Sequence, residues 1–187
     1  MNVTPHVLIA ICWLVLIVYW LISSFSAKRY AKRNDTTWAF RFVFVVIFIS
    51  LFNSPWTRQY VIGTGGLFAP LWLQWLGVVL CVCGVAFAIW ARYYLGRNWG
   101  MPMSLKQDAE LVTTGPYRYV RHPIYSGFML AALGSTLVTV WWLIALVWFS
   151  VYFTFAARKE EKIMRGEFGA AYDGYMKRSK MLIPFVL

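Results

Sequence analysis

Charge is scarce in this chain, and acid is scarcest. There are seven Asp and Glu residues against eighteen Lys and Arg, and charged residues reach only 13% of the 187. A soluble domain carries about 25%. With 60% of residues hydrophobic, the composition excludes an ordinary water-soluble globule and indicates a multi-span membrane protein. Histidine is nearly absent: His6 and His122 stand far apart, so no metal-ligand cluster is expected. The three cysteines, Cys12, Cys81 and Cys83, lie in apolar runs. Cys-Val-Cys is neither a zinc nor a thioredoxin spacing, so all three read as free thiols in helices. The GTGG at 63–66 has no phosphate-loop lysine and reads as a turn. No internal repeat at a solenoid period and no low-complexity tract occur. No basic residue precedes the first apolar run, which therefore reads as a retained span rather than a cleavable signal.

Aromatic residues are plentiful, with eleven Trp, eleven Tyr and fourteen Phe, as suits rings that favour the headgroup region. Apolar runs cover residues 5–25, 38–55, 69–94 and 124–157. About 20 apolar residues span a bilayer as a helix. The last run holds 34 residues without a charge. As a single crossing it would place the basic tail outside the membrane. As two crossings, turning near Gly134, Ser135, Thr136 or the Thr139 to Trp142 stretch, it returns the tail to the cytoplasm. The expectation is therefore an all-α membrane bundle of five transmembrane helices ending in a helical hairpin, with one long tilted helix as the alternative. The loop after the first run carries Lys28, Arg29, Lys32 and Arg33, whereas the loop after the second carries only Arg58. The positive-inside rule then puts the N-terminus outside and the C-terminus in the cytoplasm. The net charge of +11 is read as cytoplasmic loops facing anionic lipid rather than as a nucleic-acid surface.

On this topology all seven acidic residues, Asp35, Asp108, Glu110, Glu160, Glu161, Glu167 and Asp173, fall on the cytoplasmic side. Polar chemistry is expected there. Two features stand out. In GPYRYVRHPIYSG, Pro123 suits the first turn of a helix, where its missing N–H costs nothing. His122 then lies beside free helix N–H groups that favour an anion or carboxylate, and Tyr125 follows one turn in. The same residues, with Arg118 and Tyr119, also make a good interfacial anchor. The pair Glu160 and Glu161 sits where the last span leaves the membrane. A carboxylate there is costly against lipid and should face protein or water. It can bind ribose hydroxyls, an ammonium or a sulfonium, or be a solvated pair balanced by Lys159 and Lys162. The hairpin brings these two features to one membrane face. A transporter or scaffold is the other class to weigh, but the spans hold few polar residues deep inside them.

The ordered set ELVTTGPYRYVRHPIYSG, an apolar hairpin, EE, and FGAAYDGYMKRSKMLIPF resembles the isoprenylcysteine carboxyl methyltransferase family, within a wider group of phospholipid methyltransferase-like membrane enzymes. The resemblance covers roughly residues 92–187. It implies a membrane enzyme that uses S-adenosylmethionine in a cytoplasmic-face pocket that is not a Rossmann domain. Residues 1–94 would supply three spans and residues 95–187 the cofactor-binding half. The family's cofactor contacts map onto Ala109, Glu110, Leu111, Val112, Tyr117, His122, Pro123, Ile124, Tyr125 and Glu160. Arg178 and Pro184 match its C-terminal pattern. Members that methylate a prenylcysteine carboxylate carry an arginine four residues before the first paired glutamate; here that position is Ala156. Arg158 lies about 200° further round a helix. Arg158 and Arg178 are the basic candidates for the acceptor side, and the implied acceptor is lipophilic or small.

Overall fold

The computed structural model describes residues 4–25, 30–32, 69–99, 105–106 and 110–183. The expected second span at 38–55, the turn at 63–66, Ala109 and Pro184 lie outside the described residues. Five α-helices occur among those described: α1 (Pro5–Ser24), α2 (Leu71–Leu95), α3 (Pro123–Val138), α4 (Trp142–Phe168) and α5 (Ala170–Arg178). A short antiparallel pair, β1 (Tyr30–Lys32) with β2 (Leu105–Lys106), is the only sheet described. The fold is all-α in class, and the bounds of α1 and α2 fall within two residues of the apolar runs.

The segments Pro5–Ser23 and Leu71–Asn98 are long and apolar enough to cross a membrane; Pro123–Val138 is apolar but shorter. Large side chains stand uncovered on these helices, including Leu14, Ile22 and Trp72, and Val151 does so on α4. Such an apolar surface suits lipid rather than water.

The 34-residue apolar run is a hairpin. Thr139 is extended, with φ −146° and ψ 119°, between two valines whose branched side chains favour that backbone. The helix stops there and restarts at Trp142 as α4. Lipid offers little hydrophobic drive for helix association, so close packing through small residues must supply it. α2 and α3 do this with Gly77, Gly84 and Ala88 facing Gly127, Ala131 and Gly134. A Cβ on Gly84 would lie 2.4 Å from the Ala131 nitrogen, and one on Gly134 would lie 2.5 Å from the Cys81 nitrogen. α1 joins through Trp13, whose indole Nε1 donates to Ser135 Oγ at 3.0 Å and whose ring stacks on Trp142 at 4.6 Å.

α4 runs past its apolar part into the charged Arg158 to Phe168 stretch and ends at Gly169, whose φ of 49° is left-handed. α5 folds back from this turn. The chain then lies alongside 119–122: Val120 bridges Lys180 in parallel. Lys180 N donates to Tyr119 O at 3.0 Å, Arg121 N to Lys180 O at 2.8 Å and His122 N to Met181 O at 3.1 Å. The Ser126 hydroxyl adds a bond to Leu182 O. The tail thereby holds the entry to α3.

Candidate active site

A cavity of about 230 Å³ opens where the ends of α1 and α2 and the middle of α4 meet the start of α3. Its lining mixes polar and aromatic groups. Ring contacts join Trp20, Trp99 and Phe128 into an aromatic end, and a hydrogen bond and an ionic contact join Tyr125, Glu160 and His122 into a polar end. Phe153 touches both Tyr125 and Phe128, and Leu95, Asn98, Glu110, Tyr117 and Tyr175 also line the cavity.

The polar end is built on the N-terminus of α3. His122 is its N-cap and Pro123 opens its first turn. Glu160 and Glu161 reach this terminus from α4, and a carboxylate at a helix N-terminus is favoured by the dipole. Glu160 accepts from the Tyr125 hydroxyl at 2.6 Å and lies 3.3 Å from His122 Nδ1. Glu161 accepts from Arg121 Nε at 2.6 Å and lies 3.6 Å from His122 Nε2. That last separation is an ionic contact, too long for a hydrogen bond, and His122 Nε2 is a buried polar atom without a hydrogen-bond partner. The Arg121 guanidinium also donates to the carbonyls of Met176 and Ser179, so it is held by both helix and tail. The rings of His122 and Tyr125 stack at 5.4 Å and 3°, and Tyr125 stacks on Phe153 at 4.4 Å and 7°.

These contacts set the local electrostatics. Burial alone lowers the His122 pKa, but hydrogen bonding to Glu160 and the negative charge of Glu160 and Glu161 outweigh it and hold the imidazole above its ordinary 6.5. Burial raises the Glu161 carboxyl, yet His122 and Arg121 bring it below its ordinary 4.5. Burial pushes the Tyr117 phenol well up and Tyr175 to about 12, so both are neutral donors at physiological pH. Tyr175 uses its hydroxyl on Tyr117 O at 2.6 Å, which locks α5 against the segment before α3. Asn98 brackets Glu110 at the cavity mouth: its side chain accepts from the Glu110 nitrogen at 3.4 Å and donates to the carboxylate at 3.5 Å.

Of the residues singled out in the sequence, Glu110, Leu111, Val112, Tyr117, His122, Ile124, Tyr125 and Glu160 all line this cavity. Pro123 is buried beside it at the start of α3. Arg158 and Arg178 are exposed and do not line it; Arg178 Nε bonds back to Gly174 O within α5. Ala156 is fully buried in α4, packed in one cluster with Tyr117, Tyr125 and Phe153. The sequence reading missed Trp20, Asn98, Trp99, Phe128, Phe153 and Tyr175. Trp20, Phe128 and Phe153 look in sequence like any aromatic in a span. Asn98 and Trp99 did carry a signal, since they follow the Gly96 stop of α2.

A helical membrane bundle with a half-polar, half-aromatic cavity at one end of the hairpin defines the class. The phospholipid methyltransferase family model matches residues 72–171, more than half of the chain and all of α3 and α4. The chain belongs to the phospholipid methyltransferase family. It is similar to protein-S-isoprenylcysteine O-methyltransferase B of Arabidopsis thaliana, with 28% identity over 65% of this chain and 64% of that protein. It is also similar to methanethiol S-methyltransferase of a Pseudomonas species, with 25% identity over 88% of this chain and 71% of that protein. Among solved structures, the eukaryotic intramembrane Ras methyltransferase, an isoprenylcysteine carboxyl methyltransferase, shares the fold at a TM-score of 0.55 and 23% identity. That match covers 83% of this chain and 55% of the solved one. The chain thus spans under two thirds of the Arabidopsis relative and just over half of the solved protein.

Proposed function

We propose that the chain is an integral membrane methyltransferase that uses S-adenosylmethionine to methylate a lipophilic or small acceptor at the cytoplasmic membrane face. In this reading it has five spans, an outer N-terminus and a cytoplasmic C-terminus. Residues 95–187 supply the donor pocket, and α1 adds Trp20 from the N-terminal half to the aromatic end. The observation that carries the proposal is the two-ended cavity. Its carboxylates, Glu110 and Glu160, share the lining with Tyr117, Tyr125 and Phe153, a set that suits a polar cation with hydroxyl groups. S-adenosylmethionine held there supplies an electrophilic methyl on a sulfonium sulfur.

Held by Glu160, Tyr117 and Tyr125, the donor would supply that methyl to an acceptor lone pair and leave as a neutral thioether, and a thiol or amine acceptor would release its proton to solvent. Such a reaction needs alignment and dryness more than proton transfer. The chain provides both. Tyr125 and His122 fix the Glu160 carboxylate, and the stacked His122, Tyr125 and Phe153 rings exclude water from one wall. Glu110, Leu111 and Val112 border the mouth, with Ala109 just beyond the described residues. The aromatic end takes the acceptor. A carboxylate acceptor would need a cation close by, and Ala156 supplies none at the position where the prenylcysteine resemblance implies arginine; a thiol or amine has no such need. The relatives named above methylate, by their names, an isoprenylcysteine protein and methanethiol, and these two acceptors differ in just this way.

The test is calorimetric binding of S-adenosylhomocysteine to protein in lipid nanodiscs. The wild-type chain should bind, while His122→Ala and Glu160→Ala should weaken binding at least about tenfold, the worth of one lost charge-assisted bond. Absence of binding by the wild-type protein would overturn the proposal.

A further inference from the structure

Arg92 lies on α2, one turn before its end, and is 2% exposed. A guanidinium buried at that depth normally meets a carboxylate. Among the described residues Arg92 meets none. Its NH1 group donates to Gly96 O at 2.7 Å and its NH2 group to Ser23 O at 2.6 Å, across 69 residues of chain. Both acceptors are carbonyls at helix C-termini, where unpaired oxygens and the helix dipole favour a cation. The guanidinium also stands 4.7 Å over the Trp99 ring.

Each partner leads into the cavity. Gly96 O accepts a second bond from Trp99 N at 3.3 Å, so it anchors the turn that delivers Asn98 and Trp99. Ser23 lies one turn from Trp20. The Trp20 ring packs edge-on against Trp99 at 6.1 Å and Phe128 at 5.3 Å. Trp20, Trp99 and Phe128 line the aromatic end. α1 is otherwise largely uncovered, with only 11% of its most apolar window buried; near this end, among the described residues, Leu16 is also packed.

We infer that Arg92 is a positioning residue for the acceptor: it fastens the end of α1 to the end of α2 and thereby sets the Trp20–Trp99 wall. This rests on the methyltransferase reading, in which the aromatic end receives the acceptor. Arg92 touches neither reactant. Its planar fork spans two carbonyls while its face lies on an indole, an arrangement a lysine ammonium cannot reproduce.

The experiment compares wild type, Arg92→Lys, Arg92→Met and Trp99→Leu in nanodiscs. Hydrogen exchange should quicken at the ends of α1 and α2 in Arg92→Met and stay unchanged in the segment from Tyr117 to Tyr125. S-adenosylhomocysteine affinity should stay within about threefold of wild type, while KM for an alkanethiol or S-prenylcysteine probe rises about tenfold or more, with kcat less affected. Arg92→Lys should fall between. If Arg92→Met fails to fold, Arg92→Lys, which keeps the charge, must still quicken exchange at the ends of α1 and α2 and raise the acceptor KM with donor affinity kept, and Trp99→Leu shows how large a KM change loss of that wall produces. Unchanged exchange at the α1 end, or equal loss of donor and acceptor affinity, overturns the inference. A wild-type chain that binds no S-adenosylhomocysteine would instead overturn the function on which it rests, and the exchange pattern would still decide whether Arg92 joins the two helices.

Discussion

At the scale of residues, the site is a chain of paired charges in a small space. Arg121, His122, Glu160 and Glu161 hold one another where each alone would be costly. Arg121→Met leaves Glu161, only 13% exposed, without its closest cation and should cost about 3–5 kcal/mol, the price seen when half of a buried pair is removed. Chemical or thermal unfolding in detergent measures it. The pH profile follows from the two shifted groups. The raised His122 pKa gives stability that is fully present below 6.5 and is lost as pH climbs through the folded value. The lowered Glu161 pKa gives stability present above 4.5 and lost as pH falls through its folded value. The combined contribution is complete between 4.5 and 6.5. Thermal midpoints should therefore decline on the alkaline side, and His122→Gln should flatten that decline. A midpoint that rises from pH 6.5 to 9 in the wild type would contradict the assignment. The ordered motif match singled out His122, Tyr125 and Glu160 in the sequence; their residue types beside apolar runs alone fitted an interfacial anchor or a solvated pair equally well. Trp20 and Phe153 were not singled out, because in a span a lipid-facing ring and a cavity-facing ring have the same local pattern.

At the scale of elements, the α2–α3 contact holds the site's floor. Its glycines and alanines let two backbones approach so closely that a single methyl does not fit. Gly84→Val should destabilise the protein by about 1–3 kcal/mol through overpacking. Gly166, in α4 with open space around it, is the matched control: Gly166→Ala should raise stability by about 0.5–1 kcal/mol through helix propensity. Thermal scanning of both variants checks the sign as well as the size. The hairpin itself could be read from length, since 34 uncharged residues exceed one crossing. The small-residue contact was also written in the sequence, at 77, 84, 127 and 134. It passed unread because glycine in a span signals close approach without naming the partner. The tail at 179–182 showed in sequence only as part of a motif, without its partner: apart from the Arg121 guanidinium on Ser179 O, its bonds to 119–122 are backbone to backbone and leave no side-chain signature.

At the scale of the whole molecule, the tail at 179–182 and the hairpin act as one unit. Ending the chain after Arg178 removes the bonds from Lys180, Met181 and Leu182 to the start of α3 and the carbonyl of Ser179 from Arg121. Such a truncation should insert in the membrane yet lose at least about tenfold in S-adenosylhomocysteine affinity, because the N-terminus of α3 is no longer held; calorimetry beside a membrane-fraction assay separates the two effects. The proposed topology predicts that a cysteine placed at the exposed Lys177 is labelled from the cytoplasmic side only.

The sequence by itself determined the solvent, the helical class, the hairpin and the polar residues at its mouth. Each of these follows from composition or from the length of an uncharged run, which are properties of the chain read in order. Only the tertiary structure decided which aromatics face inward, which backbone holds His122 in place, and that, among the described residues, Arg92 meets the carbonyls of two helix ends. Those depend on distances between residues 35 to 69 positions apart in the cases of Tyr125 with Glu160 and Arg92 with Ser23, and separation in space is what a linear pattern does not carry.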